Sequence, residues 1–366
     1  MPGSMPTGGS TTPRRPAPDG QRAASPGDPA APVGLPTADA AVLAAVAQWW
    51  RRHRAVVSAE GAIGVAYSGG ADSTALLLAA ATHWPGRVRA LHVHHGLQAA
   101  ADAFAAHATA QAARWGVPLT VLHTDARHAR GDSPEDAARR ARYRALAGAA
   151  RAQGLAVVLL GHHAQDQAET LLLALTRGAG LPGLAAMPEC RRIDGVWFGR
   201  PLLALDGTAL RASLRAQGIG WVHDPTNDDP AYTRNRIRLQ VVPALAQAFP
   251  SYAITFARSA RHAAAAQQLL DELAAEDLAR VGNPPRLAAL QALSPQRLIN
   301  VLRHWLRTCH GASGTDAQWR EVARQMAAAR TRGHAIELRV GAGRLRRAGD
   351  VVLYQPDDEA VAPQRL

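Results

Sequence analysis

The chain has 366 residues and a formal net charge of +12, with an isoelectric point near 11.1, and all 41 of its Lys-plus-Arg positions are arginine. Such a length accommodates two domains with separate cores, and the basic balance points to a polyanionic partner, nucleic acid first, although a genome-wide coding bias produces the same arginine count. Cys190 and Cys309 form no CxxC pair, which excludes a zinc knuckle or thiol relay and suits a reducing cytoplasm; apolar runs such as 155–160 are too short to cross a bilayer.

Residues 1–36 are rich in Pro, Gly, Ser, Thr and Ala without apolar periodicity, so they read as a disordered tail. Arg14-Arg15 precedes no apolar stretch, so no secretory or twin-arginine signal is expected. From about residue 40 to 225, short apolar strands at 63–67, 88–93, 119–122 and 157–160, each expected to be buried on both faces, alternate with helical segments. That alternation predicts an α/β fold with a doubly wound parallel sheet, in which ligands bind beyond the carboxyl ends of the strands.

Three segments fall at those ends. The first is Ser68-Gly69-Gly70-Ala71-Asp72-Ser73, between a strand and a helix. Its glycines let backbone approach an anion, its amides and helix dipole surround phosphate oxygens, and its serines add donors. A Walker-type loop needs a lysine, and the chain has none. The second is His94-His95-Gly96. The third runs from Gly161 through His162 and His163 to Thr170 and opens a helix carrying Asp166 and Glu169 on one face. Two acids beside a phosphate loop suggest Mg²⁺ between Asp72, Glu169 and the phosphates, or simply first-turn acids favoured by the helix dipole. The histidines lack HExxH spacing and read as packing or phosphate-touching groups rather than zinc ligands.

Ser133-Pro134 predicts a helix start, after which Glu135, Arg139 and Arg142 share a face, either as a solvated ion-pair stripe or as phosphate contacts. After the turn at 224–228, Arg234, Arg236 and Arg238 alternate with polar residues, as a phosphate-contacting element or a charged linker would.

Together these segments, with Arg200-Pro201-Leu202-Leu203, have the order and spacing of the tRNA(Ile)-lysidine synthetases, which the region from about 60 to 250 resembles. That family lies within the PP-loop ATP pyrophosphatases. The resemblance implies an ATP-dependent ligase that joins free L-lysine to C2 of the wobble cytidine in the CAU anticodon of tRNA(Ile), through an O2-adenylated base, releasing AMP and pyrophosphate. It implies that Ser68 to Ser73 bind ATP, that Asp72 and Glu169 hold Mg²⁺, and that Asp166 receives the lysine. Arg139 and Arg142 would contact phosphate or the activated intermediate, with His162 and His163 beside it, and Arg234, Arg236 and Arg238 would meet the tRNA. The family commonly has two successive acids where this chain has Gln165-Asp166, so a role for the first acid is in doubt.

Beyond 250, amphipathic helices are expected, one with Leu269, Leu270, Leu273 and Leu278 and one with Leu298, Val301, Leu302, Trp305 and Leu306, starting at Ser294-Pro295. Short antiparallel strands at 335–340, 344–348 and 351–354 follow. This smaller, mainly helical α+β part resembles the family's tRNA-recognition domain, without the further C-terminal domain of longer members. Arg344, Arg346 and Arg347 read equally as tRNA contacts or as charges guarding a strand edge. The expected boundaries are a tail at 1–36, a catalytic domain at 37–229, a basic connection at 230–250, a tRNA-recognition domain at 251–356 and a tail at 357–366. No obligate protein partner is signalled. The alternatives are another PP-loop tRNA-modifying or amide-forming ligase, and a silent RNA-binding protein, which the intact phosphate loop disfavours.

Overall fold

The computed structural model describes residues 34–57, 60–94, 100–124, 134–329, 331 and 334–357. Most of the expected N-terminal tail, His95-Gly96-Leu97, the Ser133 cap, the Glu135 side chain and nearly all of the C-terminal tail lie outside them.

Helix α1 (Ala40–His53) starts where the Asp39 carboxylate accepts from the backbone N–H of Ala41 and Val42 at 2.9 and 3.2 Å, and it buries Val42, Val46 and Trp49, spaced along one face. Then come β1 (Ala62–Ala66), α2 (Ala71–His83), β2 (Val88–His94), α3 (Ala100–Arg114), β3 (Leu119–His123), α4 (Pro134–Ala152), β4 (Leu155–Leu159), α5 (Ala164–Thr176), α6 (Leu181–Leu184), β5 (Cys190–Ile193), β6 (Val196–Gly199) and α7 (Gly207–Ala216). The strands form one sheet in the order β3-β2-β1-β4-β6-β5. All neighbours are parallel except β5 and β6, a hairpin that the sequence analysis did not anticipate and whose alternating charges (Arg191, Arg192, Asp194) mask it as a loop. β3 is a further departure: as an edge strand it is only partly covered, not buried on both faces. α2 is buried almost all round, from Ala71 to Ala80, between the sheet and α1 and α7, so its apolar residues need no single face.

A short α8 (Thr233–Arg236), a π-helical turn (Ile237–Val241) and α9 (Val242–Ala248) lead into α10 (Tyr252–Val281), of 30 residues. The second core follows in α11 (Leu287–Gln291), α12 (Pro295–His310), α13 (Asp316–Ala328) and a small antiparallel sheet of β7 (Glu337–Arg339), β8 (Gly343–Ala348) and β9 (Val351–Pro356). The amphipathic reading of α12 holds: all five of its expected apolar positions are buried, the Ser294 hydroxyl accepts from the Arg297 N–H, and Gly311 closes the helix in the left-handed conformation at φ 61°. The leucine stripe expected on α10 does not form, because Leu269 and Leu270 are exposed. That helix instead packs by alanines. Ala253 and Ala257 meet Ala164 and Ala168 of α5, while Leu278 and Val281 at its other end join the second core, so it begins at the expected boundary yet belongs to both halves. Among the described residues no helix is long and apolar enough to cross a membrane.

Candidate active site

The sheet order puts β1 between β2 and β4, so the turns after β1 and β4 lie side by side at the carboxyl edge, where strand order reverses. The first turn is Ser68 to Ser73. Gly69 sits at φ +82°, and a β-carbon there would stand 3.0 Å from Val222 Cγ2, so only glycine fits while its carbonyl accepts from the Val222 N–H at 2.9 Å. Ser73 Oγ donates to the Gly70 carbonyl at 2.9 Å and lies 3.1 Å from Ser68 Oγ, which accepts from the Gly70 N–H at 3.3 Å. Gly70 caps α2 without a side chain, leaving the first-turn amides of α2 for an anion.

The second turn carries the acids. His163 precedes α5 with its ring buried, and its Nε2 lies 3.4 Å from Asp72 Oδ2 and 3.5 Å from Asp166 Oδ2. Burial alone would lower its pKa, but the Asp166 and Asp72 carboxylates overcome that and raise it, so the acids on both sides favour a charged ring bridging the phosphate loop and α5. Burial likewise acts to raise the Asp166 pKa, and His163, Arg234 and the His163 backbone N–H, which donates at 2.9 Å, hold it far below the carboxylate range instead. Asp72 is also 3.5 Å from Arg211 Nη1, on α7. Burial and neighbouring arginines push His162 down to about 3, so it is neutral.

Glu169 is buried one turn further on. Arg234 Nε donates to its Oε2 at 2.6 Å and Arg238 Nε to its Oε1 at 2.7 Å, while Arg234 Nη2 also donates to Asp166 Oδ1 at 2.8 Å. Arg234 and Arg238, four apart, therefore face α5, whereas Arg236 turns to the surface and donates, among the described residues, to the Pro230 and Ala231 carbonyls and the Thr233 hydroxyl. Asn235 anchors the segment by donating to the Thr226 and Asp229 carbonyls at 2.8 and 2.9 Å.

On α4, Arg139 and Arg142 are exposed and their guanidinium carbons lie 5.7 and 6.0 Å from the centre of the Tyr143 ring. The Tyr143 hydroxyl accepts from buried Arg200 at 3.0 Å; burial would raise its pKa, but Arg200 and Arg139 lower it. The phosphate loop, His163, Asp166 and Glu169 thus stand at two adjacent turns with Arg234 and Arg238 paired to the acids, whereas Arg236 faces away and Arg139 and Arg142 lie against Tyr143. Arg200 sits within a motif that the sequence analysis quoted, but Arg211 has no signal in the chain, because only the packing of α7 on α2 brings it to Asp72.

Asp72 and Glu169 differ in their fitness for Mg²⁺. Asp72 keeps a third of its side chain exposed beside the phosphate loop, which suits a cation that takes one or two carboxylates plus phosphate oxygens. Glu169 is already neutralised by two guanidiniums, so the pairing of Asp72 with Glu169 is not the arrangement seen. No group of three or more metal-ligating side chains occurs among the described residues. Gln165, standing where the resembling family commonly has an acid, donates through Nε2 to Asp206 Oδ1 at 2.6 Å and accepts from the Gly207 N–H at 2.9 Å.

The PP-loop domain family matches residues 43–245, and the TilS substrate binding domain family matches 286–352. The chain is 60% identical over 292 residues to the tRNA(Ile)-lysidine synthase of Polaromonas naphthalenivorans, covering 80% of this chain and 89% of that one. It is 43% identical to the enzymes of the same name from Bordetella pertussis, over 78% of this chain and 92% of the other, and from Burkholderia pseudomallei, over 82% of this chain and 63% of the longer relative.

Proposed function

Because the chain belongs to the tRNA(Ile)-lysidine synthase family, we propose that it uses ATP to join free lysine to C2 of the wobble cytidine in the CAU anticodon of tRNA(Ile). The observation that supports this reading is the His163 bridge between phosphate-loop Asp72 and Asp166, the two acids that the reading assigns to the nucleotide and to the lysine amine.

In the first step the cytidine O2 attacks the α-phosphate, the bond from that phosphorus to the bridging oxygen breaks, and pyrophosphate leaves. The amides of Ser68 to Ser73 and the α2 N-terminus hold the departing charge. Mg²⁺ on Asp72 supplies further neutralisation there when bound. Arg139 and Arg142, exposed on α4 beside the Tyr143 ring, hold the adenylate phosphate in this reading. In the second step the lysine amine attacks C2 and AMP leaves. Asp166, kept ionised by its cationic neighbours, orients the incoming ammonium, which sheds its proton to water before the free amine attacks. His162, neutral and half-buried, stands beside Asp166 without adding charge in this reading.

Glu169 acts in this reading through Arg234 and Arg238, which lock α5 in place; Arg236, turned outward, carries the contact with the tRNA backbone. A reducing cytoplasm, where tRNA is found, suits the two free thiols of Cys190 and Cys309. The test is incubation of the purified protein with ATP, Mg²⁺, labelled lysine and tRNA(Ile) bearing CAU. Label in the RNA is expected. ATP cleavage without label transfer would favour a different PP-loop ligase.

A further inference from the structure

The N-terminal turns of α5 and α7 are joined by one side chain. The Gln165 amide nitrogen donates to Asp206 Oδ1 at 2.6 Å, and its oxygen accepts from the Gly207 backbone N–H at 2.9 Å. Asp206 Oδ1 accepts in turn from the Thr208 N–H at 2.7 Å, as the cap of α7. Burial works to raise the Asp206 pKa, but these donors lower it, so the carboxylate is ionised and requires a donor facing it.

What the joint fixes is catalytic. Gly207 lies directly beneath the His163 ring, where a β-carbon would come within 2.7 Å of Cε1 and Nε2, so α7 forms the floor on which His163 rests between Asp72 and Asp166. One turn along α7, Arg211 reaches Asp72 at 3.5 Å. A shift of the α7 N-terminus therefore moves the His163 floor and the Asp72 partner together. Opposite the Asp206 carboxylate, the Gln165 amide satisfies both ends of the joint at once, since it donates to the carboxylate and accepts from the N–H.

We propose that Gln165 is a positioning residue for lysine transfer, and that it forms an obligate amide–carboxylate pair with Asp206 which tolerates one negative charge between the two positions but not two. An acid at position 165 would set two carboxylates against each other at hydrogen-bond distance and drive the turns apart. Exchanging the partners, with the carboxylate at position 165 and the amide at position 206, removes the second charge from the joint. Because Asp206 Oδ1 alone takes both the Gln165 amide and the Thr208 N–H, the exchanged amide keeps the cap through its oxygen and meets the carboxylate through the nitrogen on its other branch, while the carboxylate still accepts from the Gly207 N–H.

The inference rests on the lysine-transfer reading for its assay. The full-length protein is compared with Gln165→Glu and with the double variant Gln165→Glu/Asp206→Asn, measuring lysine-transfer kcat, KM for tRNA, and thermal unfolding. Gln165→Glu is expected to lower kcat roughly tenfold to a hundredfold, as misplacement of a reacting group by a fraction of an ångström does, with KM for tRNA within about twofold of the parent. The double variant should recover kcat to within about threefold of the parent, a non-additivity expected only of residues in contact. A parental kcat in Gln165→Glu would overturn the proposal, and so would a double variant as slow as the single one, even if its unfolding temperature recovers. Absence of transfer by the parent protein is a separate outcome that counts against the proposed function; the pair is then read in the unfolding coupling alone, where additivity of the two substitutions overturns it.

Discussion

Arg238 takes both oxygens of Glu169, with Nε 2.7 Å from Oε1 and Nη2 2.9 Å from Oε2, reaching from a π-helical turn to the buried second turn of α5. A charge-assisted bidentate pair on a carboxylate this buried behaves asymmetrically: keeping both partners gains little, whereas removing one is costly. Arg238→Ala is therefore expected to destabilise the protein by about 2 to 4 kcal/mol in urea unfolding, because Glu169 retains only Arg234. An unchanged midpoint would show that the pair is dispensable.

Arg236, two residues away and facing solvent, should behave in the opposite way. Arg236→Ala should shift stability by less than about 0.5 kcal/mol. It should weaken tRNA binding and reduce the log-log salt slope by roughly 0.7 to 0.9, the share of one phosphate contact. Filter-binding titrations over a range of salt would reveal it; an unaltered slope would remove Arg236 from the RNA surface.

Asp72→Asn should abolish lysine transfer while leaving tRNA affinity nearly unchanged, since Asp72 touches the phosphate loop, His163 and Arg211 but lies away from the exposed arginines. Substantial turnover in this variant, measured with labelled lysine, would remove the metal-binding role proposed for its carboxylate.

The His163 bridge makes a pH prediction. The folded pKa of His163 is raised, so its stabilisation is complete below the unfolded value and lost as pH climbs through the folded one. That of Asp166 is lowered, so its stabilisation is present above the unfolded value and lost as pH falls through the folded one. Stability from the bridge thus spans mildly acidic to neutral pH and fades on the alkaline side. His163→Asn should flatten that alkaline limb in thermal melts recorded across pH, and an identical limb in the variant would show that His163 does not carry the charge.

Much of this site is legible in the chain. The phosphate loop, the acids of α5 and the alternation of strands each depend on local order: a glycine pair after an apolar run, or two acids three apart on a helix. The same local view does not foresee that Arg234 and Arg238 pair with the α5 acids, because their four-residue spacing says that they share a face but not which element that face meets. Gln165 reads as a loss in the sequence, whereas its meaning lies 41 residues away at Asp206. The exposed leucines of α10 show the same limit: periodicity implies an apolar face, but the contact is made by alanines small enough to let two helices approach.

Helix α10 has one more consequence. Its 30 residues extend about 45 Å at the rise of an ordinary helix, with one end packed on the helix that bears the acids and the other built into the second core. A continuous helix has no break at which its two ends could turn, so an RNA that touched both halves would have to present its features at a fixed spacing. A tRNA whose anticodon carries the right bases but whose arm is a few base pairs too short would then be refused on dimensions alone.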